Sequence, residues 1–104
     1  MTKFIISYLG GDKPSTEQQA NKHFQEYKKW LASLGDSVIK PMVPFKNIHV
    51  VKPDGSVVQG SSIEMSGQTV VQASSIEDAI AMTKTCPFLK INGFLEVAEI
   101  VQMS

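Results

Sequence analysis

The stretch from Thr69 to Ile100 switches its apolar spacing from strand to helix and back to strand. Val70 to Ala73 is short, β-branched and apolar, which favours a strand. Ile76, Ala79, Ile80 and Thr83 then fall at the i, i+3, i+4, i+7 positions of one helical face. Ser74 suits the N-cap, because its hydroxyl accepts a backbone N–H of the first turn. Glu77 stands three residues on, so Ser74-Ser75-Ile76-Glu77 is a capping box. Pro87 lacks an N–H and pushes Cys86 out of the helical region, so the helix is expected to end near Thr85. Asn92-Gly93 is a turn signal, and Phe94 to Met103 alternates as a strand.

The first half repeats the plan. Lys3 to Leu9 puts Phe4, Ile6 and Tyr8 on one face and Ile5, Ser7 and Leu9 on the other. Both faces are largely apolar, which predicts a central strand. After the loop Gly10-Gly11-Asp12-Lys13-Pro14, a second capping box is expected in Ser15-Thr16-Glu17-Gln18. Ala20, Phe24, Tyr27, Leu31 and Leu34 then recur at steps of four and three along an amphipathic helix, which Gly35 ends as a left-handed cap. Ser37 to Ile39 is β-branched, and Pro41 and Pro44 keep Lys40 to Phe45 extended. Ile48 to Lys52 and Ser56 to Gln59 flank Pro53-Asp54-Gly55, a hairpin signal, and Gly60 to Gly67 reads as a loop or a bulged strand entry.

The order is β-α-β, hairpin, β-α-β. Two right-handed split units of this kind predict an α+β, ferredoxin-like sandwich: an antiparallel sheet with both helices on one face. The other face would remain apolar and uncovered, which predicts a two-fold homodimer, sheet against sheet, closing a dimeric α+β barrel.

Composition narrows the function. The chain has 104 residues with 42% hydrophobic content, enough for one core, and reads as a single domain over 1–104. Ten basic and ten acidic residues leave no net charge, so no direct nucleic-acid contact is expected. The apolar run in MTKFIISYLGG is too short to span a bilayer and makes no convincing signal peptide, so no membrane contact is expected. Cys86 is the lone cysteine, which excludes an intrachain disulfide and makes a reducing cytoplasm the default. His23, His49 and Cys86 are too far apart to form a metal motif. Gly10-Gly11 lacks both the phosphate-loop lysine and the three-glycine dinucleotide pattern. Neither metal nor cofactor is expected.

Three pieces in order resemble the YCII-related family, including its DGPF-domain branch. They are Phe4-Ile5-Ile6-Ser7-Tyr8-Leu9-Gly10-Gly11, then Trp30-Leu31-Ala32-Ser33-Leu34-Gly35-Asp36, and then Ala73 to Glu96 with AIAMTKTCPFLKING inside it. The resemblance implies a dimeric α+β barrel of ferredoxin-like protomers. One family member is a dehydrochlorinase acting on a chlorinated ring-cleavage product, and a His-Asp pair has been proposed as the active site there. Its histidine matches His23; its aspartate, in an Asp-Pro step, falls on Cys86. Association with alternative sigma factors in some members implies an accessory role for that branch.

His23 is the residue best suited to move a proton near neutral pH, and it shares a helical stripe with Tyr27 and Trp30. It is the candidate general base, with Asp36 as the candidate acidic partner. Ser7, Tyr8, Tyr27, Trp30 and Cys86 are candidate ligand contacts. The plain alternatives are a half-buried structural histidine, a solvated Asp36 at a turn and a small buried Cys86. Two readings follow. One is a small lyase or dehydrohalogenase acting on a small organic compound. The other is a non-catalytic dimeric module that binds a ligand or assists transcription.

Overall fold

The longest strands lie side by side because their sequences alternate in phase. The computed structural model describes residues 1–103. In chain order the elements are β1 (Thr2–Gly10), α1 (Glu17–Ser33), a 3₁₀ turn (Gly35–Ser37), β2 (Val38–Pro44), β3 (His49–Val51), β4 (Val57–Gln59), β5 (Met65–Ala73), α2 (Ile76–Thr83), a second 3₁₀ turn (Pro87–Ile91) and β6 (Gly93–Glu99). The main sheet runs β2-β5-β1-β6, antiparallel throughout, and β3 and β4 form a separate two-stranded hairpin. This is the ferredoxin-like order with a hairpin inserted between its second and third strands.

β1 is central, as its two apolar faces require, with Phe4 opposite Val71 on β5 and Tyr8 opposite Leu95 on β6. Phe4, Ile6, Tyr8, Val71 and Ala73 line the helix-bearing face and pack against Tyr27 and Trp30 of α1, Ala79 of α2 and Cys86. A bulge between Tyr8 and Leu9, opposite Gly67 and Met65, bends the β1–β5 pair. β2 slips twice along β5, on either side of Lys40, and the second slip spans Pro41. Proline has no N–H for the ladder, which suits β2 to the sheet edge. In the hairpin, Ser56 donates its N–H and its hydroxyl to the Asp54 carboxylate at 2.9 and 2.7 Å, which holds that carboxyl below its ordinary range.

Four local expectations shift. The N-caps are Thr16 and Ser75, each one residue later than the boxes predict; they accept from Gln19 N–H and Asp78 N–H. Each doublet offers two hydroxyls, and the second stands where the chain first turns helical. Gln19 reaches back to Ser15 instead of to the cap residue. α2 stops at Thr83, because Pro87 starts a 3₁₀ turn of its own and Cys86 before it is extended at φ −69, ψ 128. β6 ends at Glu99, with one further bond from Ile100 N–H to Lys3 O, so the strand does not run on to Met103. Phe24, on the predicted apolar face of α1, is 54% exposed, while Trp30 is buried. Gly35 takes φ +55 after Leu34, as expected of a left-handed cap.

The sheet face away from the helices is mixed instead of continuously apolar. Ile5, Leu9 and Val70 share it with Ser7, Gln68, Gln72 and Glu96, and Gln68 Nε2 donates to Ser7 Oγ at 3.1 Å. Strand alternation there encodes apolar flanks around a polar stripe.

Candidate functional site

The residues expected at the site separate into one group of four and three that stand apart. Tyr8, Tyr27, Trp30 and Cys86 meet in the core, joined by Thr69 of β5. The Tyr8 hydroxyl lies 2.7 Å from the Tyr27 hydroxyl and 2.8 Å from Thr69 Oγ1; the Tyr27–Thr69 separation is 3.4 Å. The rings stack edge-to-face, Tyr8 on Tyr27 at 5.8 Å and on Phe88 at 5.5 Å. Trp30 Nε1 donates to Met82 O at 3.0 Å and ties α1 to the end of α2. Burial raises both phenols above their ordinary range, and the hydrogen bond from Thr69 opposes that shift. Burial also pushes the Cys86 thiol up to about 11, against the N–H of Phe88. These groups stay protonated at neutral pH. No buried side-chain polar atom among the described residues lacks a partner, so the cluster is a satisfied polar core.

His23 stands outside it. Half-buried on α1, it faces a cleft of about 430 Å³ between α1, the loop after β1 and the Pro87–Ile91 turn. The floor is apolar, from Pro14, Pro87 and Ile91, and the charged groups around it include Lys13, Lys22 and Glu26. Three bonds shape the rim. Asn92 Nδ2 donates to Asp12 Oδ2 at 2.6 Å, Asp12 N–H donates to Ile91 O at 2.7 Å, and Lys90 pairs with Glu26 at 3.5 Å. Asn92 makes its bond from a left-handed conformation, φ +63, which aims its amide back across the loop. The next residue, Gly93, leaves room for Phe88: a Cβ there would run into the Phe88 ring and come within 2.7 Å of its carbonyl oxygen.

The remaining expectations divide. Asp36 is exposed in the 3₁₀ turn beyond α1, where its carbonyl accepts from Gln72 at 3.1 Å. It lies thirteen residues past His23, roughly 20 Å along a helix axis rising 1.5 Å per residue, and is not its acidic partner. Ser7 is on the opposite sheet face, bonded to Gln68, and does not join His23. Cys86 is 2% exposed and belongs to the core, although Pro87 beside it lines the cleft. His49 is exposed on the hairpin, its Nδ1 2.9 Å from Asn47 O. The residues that do surround His23 were missed, because the loop at Asp12-Lys13 and the turn ending at Asn92 carry no chemical motif.

A second, more open depression of about 510 Å³ lies at the end of the sheet near Glu64, Phe94 and Glu96 and shares Asp12 with the first. It is the larger of the two, yet no histidine faces it, and acid–base chemistry favours the His23 cleft.

No family model matches the sequence, and no curated protein matches it significantly. Among solved structures, the fold is similar to that of 5-chloro-2-hydroxyhydroquinone dehydrochlorinase (TftG) from Burkholderia phenoliruptrix AC1100, in a complex with 2,5-dihydroxybenzoquinone. The TM-score is 0.60 at 16% identity, over 97% of this chain and 95% of that one. At that identity the likeness shows the fold alone, over nearly the whole of both chains.

Proposed function

We propose that this chain is a distant YCII-related protein that acts on a small organic compound in the cleft beside His23, by a lyase or dehydrohalogenase type of reaction. The observation that carries the proposal is the half-buried His23 on a rigid helix, facing a cleft of about 430 Å³ with an apolar floor. A neutral imidazole there takes a proton from an acidic C–H or O–H of the bound compound. The electron pair released moves into the ring system and expels the leaving group as an anion, chloride in a dehydrochlorination. A dehydrochlorinase with the same fold supports that class of chemistry. Tyr8 and Tyr27 hold the core behind α1 and set where His23 stands, without touching the ligand.

A specific observation favours the second reading, a non-catalytic binding module. Among the described residues no side chain hydrogen-bonds to His23, so nothing fixes its ring as a carboxylate orients a catalytic imidazole. Chloride release from chlorinated hydroquinones separates the two. The enzyme reading expects turnover that His23→Gln removes while the circular dichroism spectrum is unchanged. Binding without chloride release would instead support the module, and turnover surviving in His23→Gln would remove the histidine from the mechanism.

We also propose a two-fold dimer through the open sheet face, supported by the apolar flanks Ile5, Leu9, Val70 and the 71% exposed Phe94. Sedimentation equilibrium at micromolar concentration should give twice the chain mass, and a clean monomer would reject it.

A further inference from the structure

The charge around the His23 cleft is unbalanced in a chain that is neutral overall. Ten basic and ten acidic residues cancel across the whole sequence. Around the cleft stand Lys13, Lys22 and Lys90 against Asp12 and Glu26, with His23 between them, an excess of one positive charge before the histidine is counted. Both acidic groups are engaged, Glu26 by a cation and Asp12 by a neutral amide. Glu26 is 3.5 Å from Lys90, and Asp12 Oδ2 accepts from Asn92 at 2.6 Å. Neither Lys13 nor Lys22 has a carboxylate within 4 Å among the described residues. Two ammonium groups without an acidic partner thus border an apolar recess.

The floor argues for the rest of the ligand. Pro87 is buried and presents a ring with no N–H, and Ile91 beside it is half-buried. Neither side chain offers a hydrogen bond, so the floor favours a flat apolar body over a sugar or a peptide. An apolar cavity of about 150 Å³ holds benzene. A cleft of about 430 Å³ therefore has room for a ring with several substituents.

We infer that the ligand of this cleft is a planar cyclic monoanion, its ring on Pro87 and Ile91 and its anionic oxygen between Lys13 and Lys22. This rests on the proposal that the His23 cleft is the functional site and names the class of compound it takes. The attraction is electrostatic and partly solvated, so it weakens with salt.

Benzoate, its neutral isostere benzamide and inorganic phosphate test the inference, with the His23 ring and the Ile91 methyl followed by NMR. Benzoate should shift both signals and bind at least tenfold more tightly than benzamide at low salt. The margin should vanish in the folded Lys13→Met/Lys22→Met variant, whose changes fall on exposed side chains. Equal binding of benzoate and benzamide at His23 would overturn the anion inference and leave the cleft reading standing. Phosphate binding as well as benzoate would overturn the ring. No shift at His23 with any probe would overturn the inference together with the site reading beneath it.

Discussion

Removing the Tyr8 hydroxyl should cost more stability than removing either of its partners. Tyr8 takes part in the two short contacts of the buried cluster, 2.7 Å to Tyr27 and 2.8 Å to Thr69. The remaining Tyr27–Thr69 contact is 3.4 Å, long for O–H···O. Tyr27→Phe leaves the 2.8 Å bond, and Thr69→Val leaves the 2.7 Å bond, so each loses about 1 kcal/mol net. Tyr8→Phe loses both short bonds and leaves the hydroxyl of Thr69, which is 0% exposed, with only the long 3.4 Å contact to Tyr27. Two net bonds plus a poorly partnered buried hydroxyl come to about 2 to 3 kcal/mol, two to three times either partner's cost. Because the side chains are coupled, the costs should not add. The triple variant Tyr8→Phe/Tyr27→Phe/Thr69→Val keeps the packed shape and strands nothing, so it should be less destabilised than Tyr8→Phe alone. Urea unfolding of the three singles and the triple gives the cycle. A Tyr8→Phe cost no greater than that of Tyr27→Phe, or a triple cost equal to the sum of the singles, would refute the network. Benzoate binding at His23 should survive Tyr8→Phe, since the hydroxyl lies in the core and not in the cleft.

Gly35→Ala should cost on the order of 1 kcal/mol in urea melts. Nothing lies within 4 Å of the added Cβ, so the φ of +55 alone sets the cost, and Gly35→Asn should recover most of it. Gly93→Ala should cost more, about 2 kcal/mol, because its Cβ meets the Phe88 ring, and it should move the cleft signals of Ile91. Stability should fall as pH rises from 9 towards 11, because the folded chain keeps a Cys86 proton that the unfolded chain gives up, and Tyr8 adds to the loss above about pH 10. The slope from Cys86 is at most about 1.4 kcal/mol per pH unit, and Cys86→Ala should flatten the profile between 9 and 10 and leave the Tyr8 loss above it; an unchanged alkaline profile in that variant would refute the assignment.

The fold was legible because each of its steps is written in local pattern. Lys3 to Leu9 is apolar on both faces, so β1 had to be central. Gly35 follows the last apolar step of α1, and Pro87 forbids the continuation of α2; both boundaries came out within two residues. The errors are also local. In Ser15-Thr16 and in Ser74-Ser75, two adjacent hydroxyls compete for one cap, and spacing to the next Glu or Gln does not say which backbone turns first. Phe24 fits the helical period and is nevertheless exposed, with Lys28 Nζ 4.9 Å from the centre of its ring.

The site was less legible, and the reason is distance along the chain. His23 is singled out by its own chemistry and its stripe, which are local. Its neighbours are supplied by Asp12 and Lys13 from the first connection and by Pro87, Lys90 and Ile91 from the last, some seventy residues away, and they meet because β1 pairs with β6 at Gly10 and Gly93, which sets Asp12 N–H on Ile91 O, while α1 packs on the Pro87–Ile91 turn. A one-dimensional stripe could not separate His23 from Tyr27, since i and i+4 share a face. Only the depth of the core does so, by sinking Tyr27 to 9% exposure onto Tyr8 while His23 stops at the rim. The same depth decides against Cys86. A residue before proline is held extended, and the following turn directs the proline ring to the cleft and the thiol to the core. An aspartate placed there would be buried among Tyr8, Tyr27 and Phe4 with no cation to pair with, at a cost of several kcal/mol. The cysteine is therefore the residue that this packing tolerates, and any acid–base partner for His23 has to come from Asp12 or Glu26 at the cleft or from the ligand itself.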